Sequence, residues 1–404
     1  MAPQPRVASP RSTSVAPPLV IAVEATRLAR EVRGIGRYVR ALLPRLLQQR
    51  PGSRIILFAK RRDVAALTAE YAAVPAMAGT IEVRPIGELR HTAADVFWYA
   101  WNVASPTPRH GAVVVTMHDV APLVLPDPRL LKWRKNWRWR WRYHAAAARA
   151  TLLVVVSNFT AAEVHRTLGV PFGRMRVVLL AADDLFPPPA SGDAAVLAAL
   201  GVTTPYILSV GAGDRRKNLA LLERAMARVL PTVPELSLVM VGPRTPAQGA
   251  AARARPWART LGFVSEEALV ALYRSASCLV MPSRYEGFGL PVLEAMQLGT
   301  PVICARTSSL PEVGGDAVLW VDPDDDAQLA QCLRDVLLDP GVHEQLRLAG
   351  LARAARFTWD DTARQTLAAF DEAVAARAAQ HRWTSLGAWW RSLAIIRPPQ
   401  RAIF

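Results

Sequence analysis

Short apolar runs rich in Val and Ile recur along the whole chain. They lie at 19–23, 54–59, 81–86, 96–100, 112–117, 152–157 and 177–181, then at 206–211, 236–242, 261–264, 278–282, 302–305 and 317–321. Most are apolar at successive positions rather than alternate ones, the pattern of parallel strands covered on both faces. Helical patterns fill the intervals, and strand–helix–strand repeated in this way predicts an α/β chain with doubly wound sheets. The segment 186–191, FPPPAS, breaks the alternation, because three consecutive prolines continue neither a helix nor a central strand. It marks a boundary between two halves, each with its own sheet, in a chain of 404 residues that suits two domains better than one. The expected division is a disordered tail at 1–17, a first half at 18–186, a linker at 187–204, a second half at 205–380 and a basic amphipathic tail at 381–404. A late helical pattern at 359–377 is placed to cross back to the first half. Two facing sheets of this kind enclose a cleft lined by the carboxyl ends of strands, where open α/β sheets bind ligands.

Charge narrows the partners. Lys plus Arg number 49 against 33 Asp plus Glu, a formal balance of +16. Such a balance favours phosphate-bearing partners without choosing among nucleotides, anionic lipids and nucleic acid. Cys278, Cys304 and Cys332 are scattered, form no metal-ligand spacing and suggest no disulfide framework, so a cytoplasmic setting is expected. The first 17 residues contain Pro3, Pro5, Pro10 and Pro17 and lack the apolar run of a signal peptide. No stretch reaches the roughly 18 uninterrupted apolar residues of a spanning helix, so contact with a membrane would be peripheral.

The stretch 282–300, PSRYEGFGLPVLEAMQLGT, carries the most chemistry. It follows an apolar strand, and Gly287 and Gly289 allow a tight turn and a close approach of backbone to a ligand. Pro291 suits the first turn of a helix and Gly299 the position past its end. Backbone N–H groups at such a helix start form an anion site. Glu286 in the turn and Glu294 one turn into the helix can accept hydrogen bonds from two different sets of hydroxyls, such as those of a sugar and a ribose. An ordinary strand–turn–helix with a solvated Glu is the alternative.

Two Glu separated by seven residues in EGFGLPVLEAM resemble the signature of the retaining glycosyltransferases of family 4, which have the GT-B fold of two Rossmann-like domains facing a central cleft. Further segments resemble that family in the same order: Gly34-Ile35-Gly36-Arg37-Tyr38, Thr116-Met117-His118-Asp119, Ser157-Asn158-Phe159-Thr160, Arg216-Lys217-Asn218-Leu219, Ser308-Ser309-Leu310-Pro311-Glu312 and Phe357-Thr358-Trp359. The resemblance implies catalytic roles for His118 and Glu286. It implies a donor site of Gly34, Gly36, Arg216, Lys217, Val264, Gly287, Phe288, Gly289, Leu290 and Glu294, with a GDP- or UDP-sugar as co-substrate, no cofactor and no catalytic metal. Gly34 and Gly36 would set backbone against a diphosphate. Arg216 and Lys217 open a helix, where the dipole disfavours cations, so a phosphate partner there is the better reading. Asp119 would orient the His118 ring or cap the next turn. The chain departs from the family pattern at Ala212-Gly213-Asp214, where an Arg is usual, which leaves Arg215 and Arg216 as alternatives for the phosphate contact.

The implied reaction is front-face transfer, in which cations and amides at the diphosphate stabilise charge that develops as the anomeric bond breaks. Nothing in the sequence forces the carboxylate pair about 5 Å apart that a retaining glycosidase uses. GIGRYV and HDVAPL are similar to branches that include mannosyltransferases of O-antigen and exopolysaccharide assembly, so GDP-mannose is the first donor expected and a lipid-linked or polysaccharide acceptor the first partner. A GT-B sugar-nucleotide epimerase is the competing enzyme class.

Residues 129–143, RLLKWRKNWRWRWRY, hold seven cations, no acid, four Trp and one Tyr. Trp133, Trp137 and Trp141 fall at helical spacing, although Trp137, Trp139 and Trp141 also alternate as in a strand; the Ala-rich continuation favours helix. Three readings remain: an interfacial helix on an anionic membrane, a helix whose Arg stems cover Trp rings, and a single-stranded nucleic-acid surface on a basic binding protein. In the tail, Trp383, Leu386, Trp390 and Leu393 repeat near helical spacing, which fits a second surface anchor, a segment packed on the cleft rim or a disordered end.

Overall fold

The computed structural model describes residues 16–31, 34–74, 77, 79–125, 133–182, 192–211, 214–242 and 255–393, with side chains described from 137 onward in the Trp-rich helix and up to 379 at the C-terminal end. Most of the expected N-terminal tail and the proline break at 186–191 lie outside these residues.

Two all-parallel sheets form. The first has the order β3-β2-β1-β4-β5-β6-β7, built from β1 (Val20–Glu24), β2 (Arg54–Ala59), β3 (Ile81–Pro85), β4 (Val96–Tyr99), β5 (Ala112–Met117), β6 (Leu152–Val155) and β7 (Met175–Val177). The second has the order β10-β9-β8-β11-β12-β13, from β8 (Tyr206–Val210), β9 (Ser237–Val241), β10 (Ala258–Gly262), β11 (Cys278–Met281), β12 (Val302–Ala305) and β13 (Leu319–Val321). Interior strands such as β5 and β11 are buried at every position, which is why, Thr116 apart, their sequences are apolar. Both sheets reverse direction of growth at a switch point, beside β1 and β4 in the first and β8 and β11 in the second. Their carboxyl ends at those points face one cleft.

Two strands depart from the apolar runs. β7 sits at Met175–Val177 rather than 177–181, and β10 at Ala258–Gly262 rather than 261–264. Both are edge strands, so Arg176 and Arg259 are tolerated within them. The apolar residues after β7 are instead buried beyond the strand's end, Leu180, Ala181 and Ala182 among them. Within the expected linker, residues Asp193–Leu200 form a helix that packs on the helix Glu266–Ser275, with Arg274 paired to Asp193 at 3.2 Å.

The long helix Trp359–Leu393 starts in the second half and packs on the helix Ile35–Gln49 and on β4, β5 and β6 of the first. Trp359 lies against Tyr38 with ring centroids 6.1 Å apart, and Phe370 against Trp98 at 5.8 Å. Arg50 pairs with Asp371 at 2.5 Å, and the Thr362 hydroxyl donates to the Leu179 carbonyl. Each fully buried aromatic contributes about 1.5–3 kcal/mol, more than a surface ion pair, so the rings rather than the charges anchor this strap.

The basic aromatic segment is a helix, Trp133–Arg149. Tyr143, Ala146 and Ala147 bury one face against the first sheet, which decides helix over strand. Trp137 and Trp141 are 63% and 57% exposed on the other face beside Arg138, Arg140 and Arg142. Trp139 does not share that exposure: it turns inward onto Tyr143, ring centroids 6.2 Å apart. The side chain of Trp133 and those of the C-terminal Trp383, Leu386, Trp390 and Leu393 lie outside the described residues.

Candidate active site

A cavity of about 320 Å³ opens between the halves. Gly34, Arg37, Tyr38, His118 and Asp119 line it from the first half, and Glu286, Gly287, Phe288, Gly289, Leu290 and Glu294 from the second.

The turn Glu286–Gly289 is held from three sides. Ser308 accepts from the Glu286 N–H at 2.9 Å, and the Ser309 hydroxyl donates to the carbonyls of Glu286 and Phe288. From the first half, Ser157 and Thr160 donate to the Gly287 carbonyl at 2.7 and 3.0 Å. Gly287 is required here: a Cβ would stand 1.8 Å from the His118 carbonyl oxygen. Across the same seam, Glu312 accepts from the backbone N–H groups of Asn158 and Phe159 at 2.8 and 2.7 Å, so a carboxylate of one half sits on the N-terminus of a helix of the other, Asn158–Leu168. The helix Leu290–Gln297 then opens on the cavity, with Gly289, Leu290 and Pro291 in its lining.

Each of the two glutamates carries a cation. Lys217 Nζ lies 2.8 Å from Glu286 Oε1, both side chains about one-tenth exposed. Arg37 reaches across from the first half and donates to Glu294 Oε1 at 2.7 Å, while the Tyr273 hydroxyl donates to Glu294 Oε2 at 2.8 Å. Arg37 also pairs with Glu266 at the start of the helix Glu266–Ser275. A buried pair of this kind is costly to break from one side, about 3–5 kcal/mol, because the partner charge stays buried.

His118 is half-buried, and its Nε2 lies 2.9 Å from the Ala100 carbonyl. A carbonyl only accepts, so Nε2 carries the proton and Nδ1 is left as an acceptor. Burial pulls the imidazole down to about 4, so the ring is neutral at physiological pH. Asp119 does not orient it: Asp119 Oδ1 caps the following turn by accepting from Ala121 N–H, and Oδ2 lies 3.6 Å from Arg216. Burial pushes the Asp119 carboxyl up, against the pull of Arg216.

Other expected donor-site residues lie outside the cavity wall, Lys217 among them, which reaches the site through its ion pair with Glu286. A Cβ on Gly36 would strike the Glu31 carbonyl, so this glycine packs the preceding loop. Val264 is half-buried against the core next to Ser265 and Glu266. Arg216 is bound to Asp214 and turned toward Asp119, and Arg215 is exposed. Among the described residues no group of three or more His, Cys, Asp or Glu side chains is placed to hold a metal ion.

Residues 32–184 match the family described as Glycosyltransferase Family 4, and residues 198–353 the one described as Glycosyl transferases group 1. The chain belongs to glycosyltransferase family 4. Among relatives, it is 34% identical over 230 residues to the O-antigen chain mannosyltransferase B of Escherichia coli, covering 55% of this chain and 60% of that one. It is 32% identical over 235 residues to the MMP alpha-(1->4)-mannosyltransferase of Mycolicibacterium hassiacum, covering 56% and 55%. These alignments thus span little more than half of the relatives' length. Among solved structures, sucrose-phosphate synthase from Thermosynechococcus elongatus superposes with a TM-score of 0.66 at 21% identity over 89% of this chain and 100% of that one. The Anabaena protein HepE in complex with UDP and glucose gives 0.65 at 16% identity over 87% and 99%. These likenesses show the GT-B fold.

For a family 4 chain the sequence motifs locate the two glutamates and Lys217, but not what holds them. Arg37 and Tyr38 stand inside the quoted glycine loop, and Ser157, Thr160, Ser309 and Glu312 inside quoted landmarks, without a role that spacing assigns. Tyr273 carries no sequence signal beyond an apolar helix position.

Proposed function

We propose that this chain is a retaining hexosyltransferase that takes mannose from GDP-mannose and passes it to a lipid-linked or polysaccharide acceptor. The observation that carries the reading is the junction of Glu286, Glu294, His118 and the open end of helix Leu290–Gln297 at one interdomain cavity, with Lys217 paired to Glu286 at its edge. The names of the mannosyltransferase relatives support mannose as the sugar, and that of O-antigen chain mannosyltransferase B supports a polysaccharide acceptor.

The chemistry follows from charge. Without donor, Lys217 and Glu286 neutralise one another at 2.8 Å. A donor entering between them offers its diphosphate to Lys217 and its sugar hydroxyls to Glu286, with the helix N-terminus as a second anion contact. Cleavage of the anomeric carbon–phosphate oxygen bond leaves negative charge where these positive groups stand, with no metal needed to supply it. The acceptor oxygen bonds to the same face of the anomeric carbon, and its proton passes to the departing phosphate oxygen. Neutral His118 offers Nδ1 as an acceptor to a sugar hydroxyl.

No helix among the described residues is long and apolar enough to cross a membrane. We assign membrane contact, at the inner face of the cell membrane, to the exposed edge of helix Trp133–Arg149, where Trp137 and Trp141 stand among three arginines. The function is tested by incubating the protein with GDP-mannose or UDP-hexoses and with lipid-linked or polysaccharide acceptors. Release of nucleoside diphosphate with an α-linked product by NMR is expected. Conversion of the nucleotide-sugar without diphosphate release would instead identify an epimerase.

A further inference from the structure

Glu294 is held by two donors of different origin. Tyr273 belongs to its own half, whereas Arg37 comes from the opposite one. Each takes one oxygen of the carboxylate. A carboxylate has about four acceptor positions, so each oxygen keeps one more lone pair. Two adjacent acceptors fixed side by side, on a wall of the cavity, match two adjacent hydroxyls. Tyr273 holds one oxygen, and the other is fixed while Arg37 is in place, which requires the halves to be together. Its second partner, Glu266, also belongs to the second half, so the guanidinium is clamped between two carboxylates of the domain it does not belong to.

We propose that Arg37 is a positioning residue: by crossing the cleft to Glu294 it couples closure of the two halves to recognition of a vicinal diol on the donor nucleoside. This inference rests on the nucleotide-sugar reading above. The diol is read at full strength in the closed cleft and weakly in an open one, so closure is favoured by the ribose as well as by the phosphates. Tyr273 alone, acting within one half, holds the carboxylate without sensing closure.

The test compares a nucleoside diphosphate, GDP or UDP, with its 2′,3′-dideoxy counterpart by calorimetry, and measures the radius of gyration of each protein by small-angle scattering. The wild type should bind the ribo form about tenfold or more tightly than the dideoxy form. Arg37→Gln and Arg37→Lys should bring that ratio toward one, leave dideoxy affinity nearly unchanged and enlarge the unliganded molecule, the Lys variant less so. Tyr273→Phe should lower the ratio with no change in size. If Arg37→Gln fails to fold, the charge-conserving Arg37→Lys decides. A folded Arg37→Lys that keeps both the wild-type ratio and the wild-type size overturns the coupling while leaving the donor reading intact. A wild type that binds neither diphosphate overturns both.

Discussion

Glu286 has the most demanding position of any side chain in the cleft. Its backbone is fixed by Ser308 and Ser309, its carboxylate by Lys217, and its neighbour Gly287 by close approach to His118. Because the turn is held by its backbone, loss of the carboxylate leaves the sheets in place, at a cost of about 3–5 kcal/mol for the Lys217 charge left buried and unpaired. Glu286→Ala should therefore leave a folded protein whose kcat falls at least about tenfold. Steady-state assay with donor and acceptor, alongside circular dichroism, checks this; near-normal turnover in a folded variant would remove Glu286 from the reaction. Spacing in the sequence was enough to single out this residue and Glu294, because two carboxylates flanking a Gly-rich turn are unusual in a plain strand–turn–helix. It could not reveal that Arg37 serves Glu294, since the contact joins residues 257 positions apart and an Arg on a helix is more often solvated. For the same reason Gly36, a repeat of Gly34 in the pattern, was legible as a glycine but not as a packing one.

At the scale of elements, the seam between the halves is built from ordinary capping chemistry used between domains. Ser157 caps helix Asn158–Leu168 by accepting from Thr160 N–H, and its hydroxyl also reaches the Gly287 carbonyl. Glu312 supplies a second cap to the same helix from the other half. Glu312→Ala should cost about 1 kcal/mol of stability, in the range of a lost helix cap, and should loosen closure without unfolding either sheet. Thermal denaturation reads the first effect and scattering the second; an unchanged melting temperature and size would show that the cap carries no load. The interior strands were readable from apolar runs because burial on both faces leaves little choice of residue. β7 and β10 were displaced from theirs because edge strands admit Arg, so apolar content ceases to mark the ladder.

For the whole molecule, the same excess of cations that suits a nucleotide in the cleft also covers one outer face. The helix Trp133–Arg149 presents two exposed Trp and three Arg there. Anionic vesicles should bind the protein, and each cation near the surface is worth about 1 kcal/mol, which salt screens. Burial of Trp137 and Trp141 adds an apolar contribution that salt leaves in place. Flotation should then show binding that weakens but persists at high salt, and Trp137→Ala with Trp141→Ala should leave only the salt-sensitive part. Absence of flotation at every salt concentration would make this face a solvated one and remove the main support for a lipid-linked acceptor. The long helix Trp359–Leu393 ties the halves together through buried rings, so the cleft is closed by packing as well as by the polar seam.

The central claim is that this interdomain cleft binds a nucleotide-sugar through its diphosphate. Calorimetric titration of GDP, UDP and the matching nucleosides into the wild type and Lys217→Ala tests it most directly. Loss of a charge-assisted phosphate contact is worth about 1.5–3 kcal/mol, so Lys217→Ala should weaken the diphosphate at least about tenfold and leave the nucleoside almost unaffected. Equal losses for both ligands, or no binding of either diphosphate to the wild type, would contradict the account.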